Sequence, residues 1–95
     1  MGRKKGRHIP NELTNIRWSF GLSQQDAALR LGGKQSKLSL WELGKAMPSA
    51  KNIMRLKKLY KTSFERMYPV MDKETASEIE YNEQEIARQQ NEENK

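Results

Sequence analysis

Residues Gly21–Lys45 read GLSQQDAALRLGGKQSKLSLWELGK, and the reading of this stretch decides the fold. Two helix-like runs flank Gly32-Gly33. The first has a clear start. Ser23 with Asp26 three residues on has the spacing of a capping box, with Asp in place of the usual Glu or Gln. Leu22 stands where a hydrophobic staple would pack. Ala27, Ala28 and Leu31 give a small-residue face, and the glycine pair ends the run. The second run is predicted from Gln35 to Leu43, with Leu38 and Trp41 three apart on one side and Gly44 as its stop. Polar and basic residues open it. Leu40 and Leu43 then fall where a solvated face is expected.

Further helices are expected on both sides. Pro10 suits a first turn, and Leu13, Ile16 and Phe20 share one stripe, which predicts helix from Pro10 to Phe20 with Gly21 as its left-handed stop. Downstream, Pro48 bars helix before it and Ser49 is a good N-cap. Ile53, Leu56 and Tyr60 line one face of the helix that follows, with Leu59 beside them, while Lys51, Arg55, Lys57 and Lys58 stay outside. A short helix is predicted from Ser63 to Tyr68, ended by Pro69. Residues 1–8 form a basic arm with no apolar residue after Met1, so it has nothing to bury. Residues 70–95 are poor in apolar side chains. Ala76, Ile79 and Ile86 allow a weak amphipathic helix or a short coiled-coil seam, and a solvated tail is the other reading. The expected organisation is a basic flexible arm over 1–8, a helical domain over 9–69 and an acidic segment over 70–95.

Charge follows the same division. Residues 1–69 hold 15 Lys/Arg against 4 Asp/Glu, a net of +11, and residues 70–95 hold 3 against 8, a net of −5. A body this basic attracts a polyanion, nucleic acid first among them. The acidic end would repel that partner or fold back to compete with it. With 95 residues, 35% hydrophobic and 32% charged, the chain suits one small core. It has no cysteine, which excludes disulfides and thiolate metal sites. His8 is the only histidine, so a zinc site and a Cys/His pair are excluded and a Ser/His/Asp set is disfavoured. The stretch GGKQS places Ala28 where a P-loop needs its first Gly and Gln35 where it needs Ser or Thr, so that reading fails. No carboxylate pair is placed for catalysis, and neither an enzyme nor a cofactor or metal is expected. No apolar run is long enough to span a membrane, and a cytoplasmic location is the expectation.

A helix-turn-helix needs a small residue where its second helix crosses the first, Gly at the bend, and two apolar residues three apart to pin the second helix. Ala28, Gly32, and Leu38 with Trp41 meet these needs in order. The start of the second helix is then left to meet base edges in the major groove. From about Leu13 to Tyr68 the sequence resembles the phage-repressor and Cro (Xre) type of helix-turn-helix domain. The matching features are Gly21-Leu22-Ser23-Gln24, Ala28, Leu31-Gly32, Ser36, Ser39, Glu42, Gly44-Lys45, Pro48-Ser49 and Leu56.

The resemblance implies an all-α, lambda-repressor-like bundle of five helices, with the basic arm and a possible C-terminal helix added. It implies that Gln24 bonds a phosphate, and that Lys34, Gln35, Ser36 and Lys37 open the recognition helix. Gln35 carries the amide that reads adenine N6/N7, and Lys34 or Lys37 can reach guanine or phosphate. Ser39 and Leu40 lie one turn further, Leu40 within reach of a thymine methyl or, with Leu43 and Met47, of a protein contact. Lys45 and, more weakly, Arg17 and Trp18 are phosphate candidates. Arg3, Lys4, Lys5 and Arg7 of the arm suit a minor groove. The sequence departs from the family at Gly33 and Lys34, where a Val-like residue and a Ser or Thr cap are usual. Lysine cannot cap, so a late start with Ser36 as cap is expected. The functional expectation is a DNA-binding transcriptional regulator, a repressor acting as a homodimer on half-sites about 10 bp apart. The alternatives are an antitoxin-type regulator with a protein partner on residues 70–95, and a non-specific DNA binder.

Overall fold

A computed structural model of the protein describes residues 8–93. Six helices follow one another: α1 (Leu13–Ser19), α2 (Gln24–Leu31), α3 (Gln35–Glu42), α4 (Ala50–Tyr60), α5 (Phe64–Met67) and α6 (Pro69–Glu93). No strand forms among the described residues, and the fold is all-α. No helix there is long and apolar enough to cross a membrane. The arm residues Arg3, Lys4, Lys5 and Arg7 lie outside the described residues.

α1 starts three residues later than the proline suggested. Residues 9–12 run across the rest of the fold instead: Ile9 N–H donates to the Gly44 carbonyl and Glu12 N–H to the Met67 carbonyl, both at 2.8 Å. Asn11 is the hinge of this crossing. Its Oδ1 accepts from Leu13 N–H at 3.0 Å, which satisfies a donor at the start of α1. Its Nδ2 donates to the carbonyls of Ile9, Trp41 and Glu42, at 3.0, 3.1 and 3.3 Å, and so closes the end of α3 as well.

The inner line of α1 also differs from the apolar stripe. Leu13 is fully buried, but the residue one turn on that joins it is Arg17, while Phe20 is 44% exposed and lies against the Tyr60 ring at 5.9 Å between centroids.

The next elements form as their caps dictate. Ser23 Oγ accepts from Asp26 N–H and starts α2, which Gly32 ends with φ +74°. Ala27, Ala28 and Leu31 are buried, and the two small alanines let α3 and α4 pack close on α2. Leu38 and Trp41 pin α3 to the same core, and Ser49 Oγ starts α4 by accepting from Asn52 N–H. Leu56, Tyr60, Met67 and Tyr68 complete the buried cluster, with Ile53 and Leu59 partly buried against it.

Tyr68 breaks α5 from α6. Its backbone sits at φ −132° and ψ +65°, because the ring of Pro69 disfavours helix at the residue before it. Pro69 then opens α6 as a first-turn residue. The 70–95 segment is therefore helical as far as Glu93. Only Met71 packs on the core; the residues from Asp72 to Glu92 are exposed apart from a half-buried Glu85. Arg88 pairs with Glu85 at 2.6 Å and Glu92 at 3.1 Å along the helix.

Candidate nucleic-acid interface

α3 begins at Gln35 rather than late at Ser36. Lys34 takes the N-cap position in extended backbone (φ −99°, ψ +142°), and no side chain caps the helix. The backbone does this work: the Lys34 carbonyl accepts from Lys37 and Leu38 N–H at 3.1 and 3.2 Å. The register of the helix is thus that of an ordinary N-cap at Lys34. No side-chain oxygen of the helix start covers its first N–H groups, and its first turn holds no acidic residue.

Lys34, Gln35, Ser36 and Lys37 are all exposed, and Ser39 is half-buried behind them. Leu40 is 43% exposed, and Leu43 and Met47 beyond it are exposed as well. Lys45 is exposed just beyond Gly44. The candidates at 34–37 thus cluster at the exposed start of a single helix, with Ser39 and Leu40 one turn further.

Behind that face lies a chain of directed hydrogen bonds. Glu42 is nearly buried, its side chain 4% exposed. Its Oε2 accepts from Arg17 Nε at 2.7 Å. Its Oε1 accepts from Arg17 Nη2 at 3.1 Å, Thr14 Oγ1 at 3.2 Å and Gln24 Nε2 at 3.0 Å. A carboxylate only accepts, so Gln24 must turn its NH2 inward and its Oε1 outward. That outward oxygen accepts from Gln35 Nε2 at 3.3 Å. Gln35 therefore keeps its own Oε1 and its second N–H for an outside partner, the acceptor and donor that adenine N6 and N7 require.

Arg17 takes a different place from the phosphate candidate of the sequence reading. It is buried, with Nε and Nη2 on Glu42 and Nη1 on the Leu22 carbonyl at 2.9 Å. The hydrogen bond to Glu42 raises its pKa, against the opposing effect of burial. With its donors turned inward, it supports the exposed start of α3 from behind. Trp18, its neighbour, is 64% exposed.

A cleft of about 360 Å³ opens beside the start of α3, and Asn52 and Arg55 of α4 line it together with Lys34 and Lys37. Arg55 donates to Asn52 Oδ1 at 3.0 Å, so the two form one unit. Sequence reasoning placed Arg55 on a solvated face, and Asn52 gave no signal at all. The cleft joins Lys34 and Lys37 to residues 15 or more positions away, which helix periodicity does not reveal.

A family model described as Helix-turn-helix matches residues 15–67, more than half of the chain. The chain belongs to the helix-turn-helix family of the Xre/lambda-repressor type. Helix-turn-helix domains of this type typically bind double-stranded DNA and regulate transcription rather than catalyse reactions. Neither the curated proteins nor the solved structures contain a match to this chain. In this helix-turn-helix, α2 and α3 are the paired helices and Gly32 to Lys34 is the turn, with the exposed start of α3 as its leading edge.

Proposed function

We propose that this chain is a sequence-specific repressor that inserts the start of α3 into the major groove and binds a two-fold operator as a homodimer. One observation carries the reading: Gln35 is held by Gln24, which is held by Glu42, and is left with one donor and one acceptor facing outward. An amide preset in this way discriminates bases better than one that must be ordered on binding. Lys34, Ser36, Lys37, Ser39 and Leu40 read or flank the same bases, and Leu40 suits a thymine methyl.

Gln24 has its amide committed inward, so its phosphate contact uses its backbone N–H at the start of α2. Lys45 and Arg55 grip the phosphates to either side. The arm leaves the described fold at Ile9, directly against Gly44 and one residue from Lys45. Arg3, Lys4, Lys5 and Arg7, outside the described residues, are the cations this reading assigns to a minor groove. Occupation of a promoter by such a dimer represses it.

Selection of bound duplexes from a random pool tests this reading. With Gln35→Ala, one base position per half-site should relax by about 1–3 kcal/mol while the rest of the motif stays. An unchanged motif refutes the assignment, and failure of the wild-type chain to select any motif refutes specific binding in favour of a non-specific binder.

A second reading, a regulator of antitoxin type that also holds a protein partner through residues 70–95, is favoured by the exposure of Ile79 and Ile86 on α6. Co-purification of a small partner chain tests it.

A further inference from the structure

α6 is a 25-residue helix, roughly 37 Å long, that touches the core only through its first turn. Isolated helices are marginal in water. Its two ion pairs lie near its far end, and Ile79 and Ile86, seven residues apart, are 51% and 53% exposed. Such a helix calls for a partner surface.

A complementary surface exists on the same chain. A groove of about 520 Å³ runs between α2 and α4. Leu31, Met54 and Leu59 give it an apolar floor, and Arg30, Lys51, Arg55 and Lys58 form its rim. None of these four cations makes a salt bridge among the described residues. Met54 of that floor is 61% exposed. Phosphates gain nothing from an apolar floor. An acidic amphipathic helix gains from both floor and rim.

The dimensions agree. Lys51 and Lys58 are seven residues apart on α4, as Ile79 and Ile86 are on α6, so both spans are about 10.5 Å. Glu78, Glu80 and Glu83 stand beside the two isoleucines in sequence and would face the rim. Pairing two α6 helices with each other is disfavoured by comparison. Each carries a net charge of −5 over residues 70–95, and Asn82 and Gln89 fall in the seam.

We propose that α6 of one chain seats Ile79 and Ile86 in the basic-rimmed groove between α2 and α4 of a second copy, and reciprocally. The homodimer is then held by the exchange of its acidic helices. The contact is isologous and closes on two chains, covering both exposed surfaces twice. It rests on the homodimer in the proposed function and gives that dimer its interface. Arg30, Lys51 and Lys58 take the acidic helix, and Arg55, which also lines the cleft beside Lys34 and Lys37, stays with the phosphates.

Charge exchange on the full chain tests it, read as mass by light scattering, with circular dichroism to confirm the fold. Arg30→Glu/Lys51→Glu/Lys58→Glu takes the four-cation rim from +4 to −2, and Glu78→Lys/Glu80→Lys/Glu83→Lys takes residues 70–95 from −5 to +1. All six residues are exposed, so neither variant disturbs the core. The wild-type chain should be dimeric and each variant alone monomeric. An equimolar mixture of the two should regain dimer mass, since both grooves then meet helices of opposite sign. Ile79→Ser/Ile86→Ser should be monomeric in any mixture with itself. Dimers that persist in either charge variant, or a mixture that stays monomeric, overturn the interface and leave the two-fold operator reading standing. A wild-type chain that is monomeric at every concentration overturns both. The duplex selection with Gln35→Ala is independent of all these outcomes.

Discussion

Glu42→Gln probes the root of the structure with a change of one functional group and almost no change of shape. In the wild-type chain the carboxylate takes four hydrogen bonds and faces an arginine, with the two side chains 4% and 9% exposed. The amide keeps one acceptor oxygen and turns two N–H donors toward other donors. The Arg17 charge is then buried without a counter-charge. Breaking a buried pair from one side costs about 3–5 kcal/mol. A domain of this size loses roughly 4–8 °C in Tm per kcal/mol, so the midpoint should fall by at least about 12 °C, read by thermal or urea unfolding. The companion variant Arg17→Met/Glu42→Leu removes both charges and fills the space. Replacements of this kind are often neutral or stabilising, so it should unfold within about 1 kcal/mol of the wild type or above it. It should nevertheless read DNA less selectively, because Gln24 has lost its anchor. A Glu42→Gln variant within about 1 kcal/mol of the wild type would refute the claim that this pair is desolvated and mutually dependent.

Gly44 and Gly32 have nearly equal φ, +76° and +74°, yet an added Cβ meets the Ile9 backbone at Gly44 and open space at Gly32. Gly32→Ala should cost about 1–2 kcal/mol in urea midpoints from backbone strain alone, and Gly44→Ala clearly more, because residues 9–12 must also move. Burial pushes the hydroxyls of Tyr60 and Tyr68 up to about 12, above an unfolded value near 10. Their contribution is therefore complete below about pH 10 and lost as pH rises toward 12, at up to about 1.4 kcal/mol per pH unit for each tyrosine. Tyr60→Phe should flatten that alkaline limb in unfolding experiments, and an unchanged limb would assign it to other groups. Lys34→Ser should raise stability by about 1 kcal/mol through a restored N-cap while weakening DNA binding in gel shifts, and a gain in both would refute the role given to Lys34.

What was legible in the sequence was local. Ser23, Gly32, Leu38 with Trp41, and Ser49 announce themselves within one or two helical turns, and each has the place its spacing indicated. Arg17 was misread because a charged residue on an amphipathic helix is assigned to the outside. Its burial depends on Glu42, 25 residues later, and no periodicity links the two. The same argument covers Asn11, whose partners at Trp41 and Glu42 lie some 30 residues away. Phe20 follows from Arg17: with the guanidinium filling the inner line of α1, the ring is left at the rim against Tyr60. α6 was open between helix and tail because its pattern is weak, and its helical form rests on local pairs such as Arg88 with Glu85 and Glu92 rather than on a buried face.

The two departures from the family at the turn acquire a physical meaning together. α2 starts with a hydroxyl cap and an acidic first-turn residue, both of which favour a helix N-terminus. α3 starts with neither, and carries Lys34 at the cap position and Lys37 in its first turn. Two cations beside the positive end of a helix raise the energy of the free protein by several tenths of a kcal/mol each. A phosphate or a row of base acceptors at the same place removes that penalty and takes up the N–H groups that no side chain covers. Gly33, which adds freedom to the unfolded chain, lowers stability further without touching the bound state. The start of α3 is thus poorly stabilised where it is alone and well stabilised where it meets an anion, so stability given up in the free protein reappears as binding. The rigid chain from Arg17 through Glu42 and Gln24 acts in the opposite sense, holding Gln35 still while the helix start around it waits for a partner. On the proposed reading, Lys34 and Lys37 add chiefly to affinity, and base selectivity rests on Gln35 as Gln24 and Glu42 hold it.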